Sequence, residues 1–328
     1  MTEPSTQQPR RSPLPPTDTD SGGRSTAPLD STAQLLTRVT AQLATQLSLV
    51  SRNGTRRPMH RTRPSDTPRL PAAPRPSPAE AAPPTLLVVA HGSRDPQALR
   101  TVLALLDRVR DLRPGLDVRL GHIELNQPLL PDTLAGLRGA DAVLVPLLLG
   151  RGHHVKHDLP AAAAAAPSVR TRIAAPLGPH PLLVEALYGR LTEAGWDPAD
   201  EGGRRAAVVL AAAGSRDPDS AQDTRRTARM LAERLGGVPV VPAYASAATP
   251  TVPAALRALA ARGRHRTFVA SYFTAPGRFA SAAASAAPRT AAVPLGAHPA
   301  VARLLLHRYD QALSATAPSE MVSLLASA

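Results

Sequence analysis

Residues 85–95 read TLLVVAHGSRD, and Pro96 follows. Five apolar residues, Leu86 to Ala90, stop abruptly at His91, Gly92, Ser93 and Arg94, and Asp95 with Pro96 has the chemistry of a helix start. A short apolar run closed by glycine and a helix start predicts a buried parallel strand. The carboxyl tip of such a strand is where an open α/β sheet meets its ligand, which makes His91 the first candidate functional residue. For this segment alone, a buried structural histidine is the plain alternative.

Outward from this stretch, strands are predicted near 85–90, 117–124, 141–148 and 171–175, with helices near 96–112, 129–138, 155–166 and 181–194. The first helix rests on Leu99, Val102, Leu103, Leu105, Leu106 and Val109, which recur at helical spacing. Strands alternating with helices predict a parallel, doubly wound sheet. The succession then starts again: AAAGSRDP at 211–218 repeats VAHGSRDP at 89–96, and Gly92 falls on Gly214. The same offset sets Pro128 on Pro250 and Pro131 on Pro253, and LGPHP at 177–181 returns as LGAHP at 295–299. Shared spacing over this length is an internal duplication. It divides the chain into two similar lobes, 85–196 and 205–315, joined where Asp, Pro and Gly cluster at 197–204.

Residues 1–84 contrast with both lobes. They hold 15 of the 36 prolines and no aromatic residue, which predicts a Pro-, Arg- and Ser-rich tail that cannot bury enough apolar surface to offset chain entropy and is disordered. Leu29, Leu35, Leu36, Val39, Leu43, Leu47 and Val50 form one island at roughly helical spacing, read as a weakly helical piece of the tail or a transient, partner-bound amphipathic helix over about 31–51. No apolar run in the tail has the length of a signal peptide or a membrane span.

The net charge of +13 raises the question of nucleic acid. Almost every cation is arginine, Lys156 being the single lysine, and neither a recognition motif nor stacking aromatics accompany the charge. The tail carries 11 arginines against 6 acids, and the remaining surplus is spread over the lobes, where it equally suits a polyanionic small molecule. With no cysteine, disulfides, thiolate metal sites and cysteine nucleophiles are excluded. A reducing cytoplasm is the expected location.

Three polar features stand at predicted strand ends of the first lobe. They are His91, Glu124 in GHIELNQPLLP, and the loop GRGHHVKHDLP at 150–160 with His153, His154 and His157. Side-chain alternation sets His122 and Glu124 on one strand face. Two imidazoles and a carboxylate suit a divalent first-row metal with open coordination positions. In the second lobe His91 becomes Ala213, Glu124 becomes Ser246 and His154 becomes Phe279. The backbone punctuation is kept and the candidate ligands are lost, as one site shared by two lobes would produce.

HGSRDP, the Glu124–Pro128 segment, GHHVKHDLP and LGPHP together resemble the sirohydrochlorin chelatases of siroheme and cobalamin synthesis. The resemblance covers about 85–195 and, through the repeat, 205–315. It implies a two-lobed class II chelatase of two flavodoxin-like α/β lobes that inserts Fe2+ or Co2+ into a tetrapyrrole, a lyase needing neither ATP nor any cofactor beyond its metal substrate. By position, the family's metal-binding histidines fall on His91 and His154 and its acidic residue on Glu124, with Ser93 beside them. Sirohydrochlorin is rich in carboxylates, so Arg94, Arg151, Lys156 and Arg278 become candidate anchors. Second-lobe Tyr272, Phe273 and Phe279 are candidates for the macrocycle face, with core packing expected for the first two. No nucleic acid or membrane partner is expected, and one chain with two lobes suffices as a monomer. The competing expectations are insertion of another metal such as nickel, and a non-catalytic tetrapyrrole or metal carrier with the tail as its interaction arm.

Overall fold

The computed structural model describes residues 83–197, 199, 205–287 and 290–315. The expected disorder of the tail, its helix at 31–51 and most of the linker at 197–204 lie outside these residues.

The first strand, β1, spans Thr85–Ala90 and is buried throughout. Then come α1 (Pro96–Leu112), β2 (Val118–His122), α2 (Leu130–Ala135), β3 (Asp141–Pro146), a π-helical turn (His154–Asp158), α3 (Leu159–Ala164), β4 (Arg170–Ile173) and α4 (Pro181–Glu193). The second lobe repeats the succession as β5 (Ala206–Ala212), α5 (Pro218–Arg234), β6 (Val240–Tyr244), α6 (Val252–Ala260), β7 (Arg266–Tyr272), α7 (Arg278–Ser285), β8 (Thr290–Ala291) and α8 (Pro299–Ser314). Among the described residues the strands form two four-stranded sheets, ordered β2-β1-β3-β4 and β6-β5-β7-β8, and every pairing is parallel. In each sheet the order reverses at the first strand, so the crevice between the tips of β1 and β3 is a topological switch point.

Alternation along the central strands decides which core each residue enters. Leu86, Val88 and Ala90 point into one large cluster, whereas Leu87 and Val89 face a smaller one under α2 and α3. In the second lobe Val208, Leu210 and Ala212 join the same large cluster, and Val209 and Ala211 turn to their own outer one. The inner faces of both sheets therefore share one core, filled by α1, α4, α5 and α8. Leu86, Leu105, Leu187 and Leu304 are at most 1% exposed there. Each such side chain contributes roughly 1.5–3 kcal/mol. The helices are exchanged reciprocally, α8 packing on α1 and α5 on α4. Arg113 to Asp310 at 2.6 Å and Arg234 to Glu185 at 2.8 Å fasten the two contacts from outside. At this exposure each pair is worth at most about 1 kcal/mol, so the shared core holds the lobes together.

Several expected elements differ in extent: β3 ends at Pro146 rather than 148, and β4 at Ile173 rather than 175. The strand expected to 124 ends at His122 because Leu125 turns into positive φ (68°), although Ile123 and Glu124 still donate to Ala90 and His91 carbonyls. The helix expected over 129–138 ends at Ala135, with Gly136 as its cap. The helix expected from 155 begins instead as a π-helical turn, in which Leu159 N–H reaches back to the His154 carbonyl. Pro160 has no N–H for the Lys156 carbonyl and its ring crowds that group, so the turn widens ahead of α3.

Candidate active site

Most of the HGSRDP segment does backbone work. Asp95 caps α1 by accepting from Gln97 N–H at 2.8 Å, Pro96 occupies the first turn, and Ser93 Oγ accepts from Asp95 N–H at 3.1 Å. Gly92 turns at φ +104°, and a Cβ there would lie 1.9 Å from the Glu124 carbonyl oxygen. That close approach sets Glu124 beside His91. What remains is His91 itself, whose side chain points out of the sheet at the switch point and is 44% exposed.

The loop after β3 supplies the facing group. His154 opens the π-helical turn, and its ring meets that of His91 edge to face, with centroids 4.7 Å apart and planes at 87°. Glu124 Oε1 lies 3.6 Å from His91 Nδ1. Asp158 Oδ2 lies 2.5 Å from His154 Nδ1. A carboxylate on Nδ1 fixes the imidazole's tautomer and leaves Nε2 for a ligand. Among the described residues, no group of three or more His, Asp or Glu side chains is placed to hold a metal ion. The arrangement is an open pair of imidazoles with a carboxylate beside each.

These groups line a cleft of about 1170 Å³ between the lobes. Ordinary small-molecule pockets measure about 300–1,000 Å³, so this one admits a large ligand. Its far wall comes from the second lobe and includes Phe273, Gly277, Arg278 and Phe279. The approach is reciprocal: Gly277 faces Ser93 Oγ, and Gly152 faces Ser215 Oγ. Related copies meeting face to face give such contacts.

The expected anchors separate into two kinds. Arg94 and Arg278 line the cleft and make no ion pair with any described residue, although Arg278 stacks over the Phe279 ring at 4.6 Å. Ser93 also reaches the cleft, with its hydroxyl engaged at the start of α1. Arg151 and Lys156 are placed elsewhere. Arg151 forks onto the buried Asp223 carboxylate at 2.7 and 3.0 Å, and its backbone N–H adds a contact at 2.9 Å. Lys156 Nζ lies 2.7 Å from Asp217 and 2.9 Å from Asp219 at the start of α5. The hydrogen bond to Asp217, then that to Asp219, raises the Lys156 pKa, and Lys156 in turn holds Asp217 below the usual carboxylate range. Both cations thus bind the histidine-bearing loop to the second lobe and are not free for a substrate carboxylate.

His122 lines the same cleft as Glu124. It is 2% exposed at the end of β2, with Nδ1 3.2 Å from the Pro128 carbonyl, and burial lowers its pKa. Tyr272 is buried, its hydroxyl donating to the Leu149 carbonyl at 2.9 Å, while Phe273 packs on the second lobe's outer core at the cleft edge. His180 and His298 prove to be helix caps, their Nδ1 atoms accepting from Leu182 and Ala300 N–H. Asp158 escaped the sequence reading, although its position four residues after His154 in a helical segment is a usable signal.

Among the described residues, two parallel α/β lobes over one core, with a histidine pair at one of the two switch points, define a two-lobed protein with an asymmetric cleft between the lobes. The chain belongs to the CbiX family, whose model matches residues 85–194 and again 207–312. It is 30% identical to a sirohydrochlorin ferrochelatase of Bacillus subtilis (strain 168) over 194 residues, 57% of this chain and 72% of that one. A sirohydrochlorin cobaltochelatase of Priestia megaterium is 27% identical over 200 residues, 58% of this chain and 63% of its own length. Among solved structures, SirB from Bacillus subtilis with Fe3+ matches at a TM-score of 0.57 and 26% identity, over 70% of this chain and 94% of that one. Among the described residues, no helix is long and apolar enough to cross a membrane.

Proposed function

We propose that this chain inserts a divalent metal ion, Fe2+ or Co2+, into sirohydrochlorin in the cytoplasm, without ATP or a further cofactor. The observation that carries the reading is the His91–His154 pair, 4.7 Å ring to ring, facing a cleft large enough for a macrocycle. The family and its named relatives support it.

Insertion needs a weakly held, partly dehydrated cation, removal of two pyrrole protons, and a macrocycle fixed with its nitrogen lone pairs towards the metal. Neutral imidazole binds such a cation through one nitrogen, and its unperturbed pKa of about 6.5 lets it accept a proton near neutrality. His91 and His154 take these tasks, Asp158 orienting His154 and Glu124 adding charge beside His91. An open two-imidazole site releases its metal more readily than a closed cage, which suits a metal that is substrate. Arg94 and Arg278, cleft cations with no acidic partner among the described residues, hold the macrocycle's carboxylates from opposite lobes. An imidazole and carboxylate set accepts both iron and cobalt, so competition between the two ions in one assay decides the preference.

The test is anaerobic visible absorption of sirohydrochlorin with Co2+ or Fe2+, comparing the protein, His91→Ala and no protein. Insertion faster than the uncatalysed rate is expected, with a loss on the order of 100-fold or more in His91→Ala. A rate equal to the control from folded protein would favour the carrier reading.

A further inference from the structure

The loop that brings His154 to the cleft holds two more imidazoles that the proposed reaction does not use. His153 and His157 are both exposed, and their rings stand 4.7 Å apart with planes at 39°. They are four residues apart on one helical segment, the spacing at which two histidines share a face and grip one cation. Asp158 touches one member of each pair. Its Oδ1 is 3.7 Å from His153 Nε2, and its Oδ2 is 2.5 Å from His154 Nδ1. From outside inwards the ring centroids step 4.7 Å from His157 to His153, 6.3 Å on to His154 and 4.7 Å on to His91. His153 already lines the cleft, whereas His157 stands outside it.

The second lobe offers a control. At the offset that sets Phe279 on His154, the outer pair becomes Arg278 and Ala282, so it is absent from the copy that has lost the inner histidine. A pair serving only to solvate a loop has no reason to follow the site in this way.

We propose that the paired imidazoles of His153 and His157 form an outer capture site for the divalent metal and deliver it along the loop to His154 and His91. Two imidazoles completed by water make a weak and exchangeable site for borderline first-row ions. Delivery at the cleft rim also leaves the macrocycle's face free while the metal enters. The delivery step rests on the chelatase reading, but the capture site stands by itself.

Two measurements on the full chain separate the two. The first is titration with Co2+ alone, followed by calorimetry and by the visible absorption of the bound ion. Wild-type protein is compared with His153→Ala/His157→Ala and with His157→Gln, exposed changes that leave the fold intact by circular dichroism. The double variant is expected to bind one fewer Co2+ per chain, and His157→Gln to bind it more weakly. An isotherm that superimposes on wild type overturns the capture site, whatever the enzyme does. The second is the dependence of insertion rate on metal concentration. The double variant is expected to raise the KM for Co2+ about tenfold, the step that each 1.4 kcal/mol of lost binding brings, with turnover at saturating metal falling less than twofold. A lost binding site with an unchanged metal KM overturns delivery. Absent insertion by wild-type protein overturns the chelatase reading and with it delivery, while the isotherm still decides the capture site.

Discussion

In the first lobe Gly92 turns at φ +104° against the Glu124 carbonyl, and in the second Gly214 turns at φ +89° against that of Ser246, each leaving 1.9 Å for a Cβ. Leu125 and Ala247 then take positive φ, and Ser93 and Ser215 accept from the N–H of Asp95 and Asp217. At these turns the two lobes hold the backbone alike. They part at the side chains that face the cleft, where His91, Glu124 and His154 stand against Ala213, Ser246 and Phe279. His180 and His298 recur in both lobes because each caps its lobe's last helix, whereas the buried His122 gives way to Tyr244 in the second lobe, so a histidine can be lost without facing the cleft as His91 does.

The sharpest way to break this comparison is to make one lesion twice. Gly92→Ala and Gly214→Ala each add a methyl against a backbone carbonyl at positive φ, at a cost on the order of 3 kcal/mol in denaturant unfolding. Insertion activity is expected to vanish only in Gly92→Ala, which displaces Glu124 from His91. Equal loss of activity in both would mean that the lobes do not divide the work as described.

A smaller effect tests the carboxylate behind His154. Asp158→Asn keeps the size and removes the charge that orients the imidazole, and kcat/KM is expected to fall about 10–100-fold. Asp158→Glu should recover part of it, and neither variant should shift the melting temperature. A change in stability without a change in rate would return Asp158 to a structural role.

The smallest effect concerns the caps. Burial, then the neighbouring Arg308 and His307, pushes the His180 pKa down to about 4, and burial lowers that of His298 as well. Between an unfolded value near 6.5 and about 4 the unfolded chain binds more protons, so stability falls as pH drops through that window. Replacing both histidines by Asn, whose amide caps without titrating, is expected to flatten the pH dependence of melting by about 2–4 °C. Rates near neutral pH should not change, in contrast to His91 and His154.

Much of this was legible in advance for a local reason. The strand at 85–90, the helix starts at Asp95–Pro96 and Asp217–Pro218, and the duplicated turns each depend on residues a few positions apart, and short-range sterics and capping write themselves into spacing. The π-helical turn was less legible, because Pro160 acts on a carbonyl four residues earlier in a stretch otherwise well suited to an ordinary helix. Arg151 and Lys156 were the least legible. Each is a cation beside candidate ligands, and nothing near them in sequence shows that Asp223, Asp217 and Asp219 arrive from the other lobe.

The sequence by itself determined two repeated parallel α/β lobes, a histidine at one strand tip and its loss in the second copy, since these follow from periodicity, capping and direct comparison of the repeats. Only the tertiary structure decided that His91 and His154 face each other, that Asp158 stands behind the second, and that Arg94 and Arg278 have no ion-pair partner among the described residues while Arg151 and Lys156 are spent between the lobes. A charge finds its partner by distance in space, and that distance exists only once the shared core has closed one lobe upon the other.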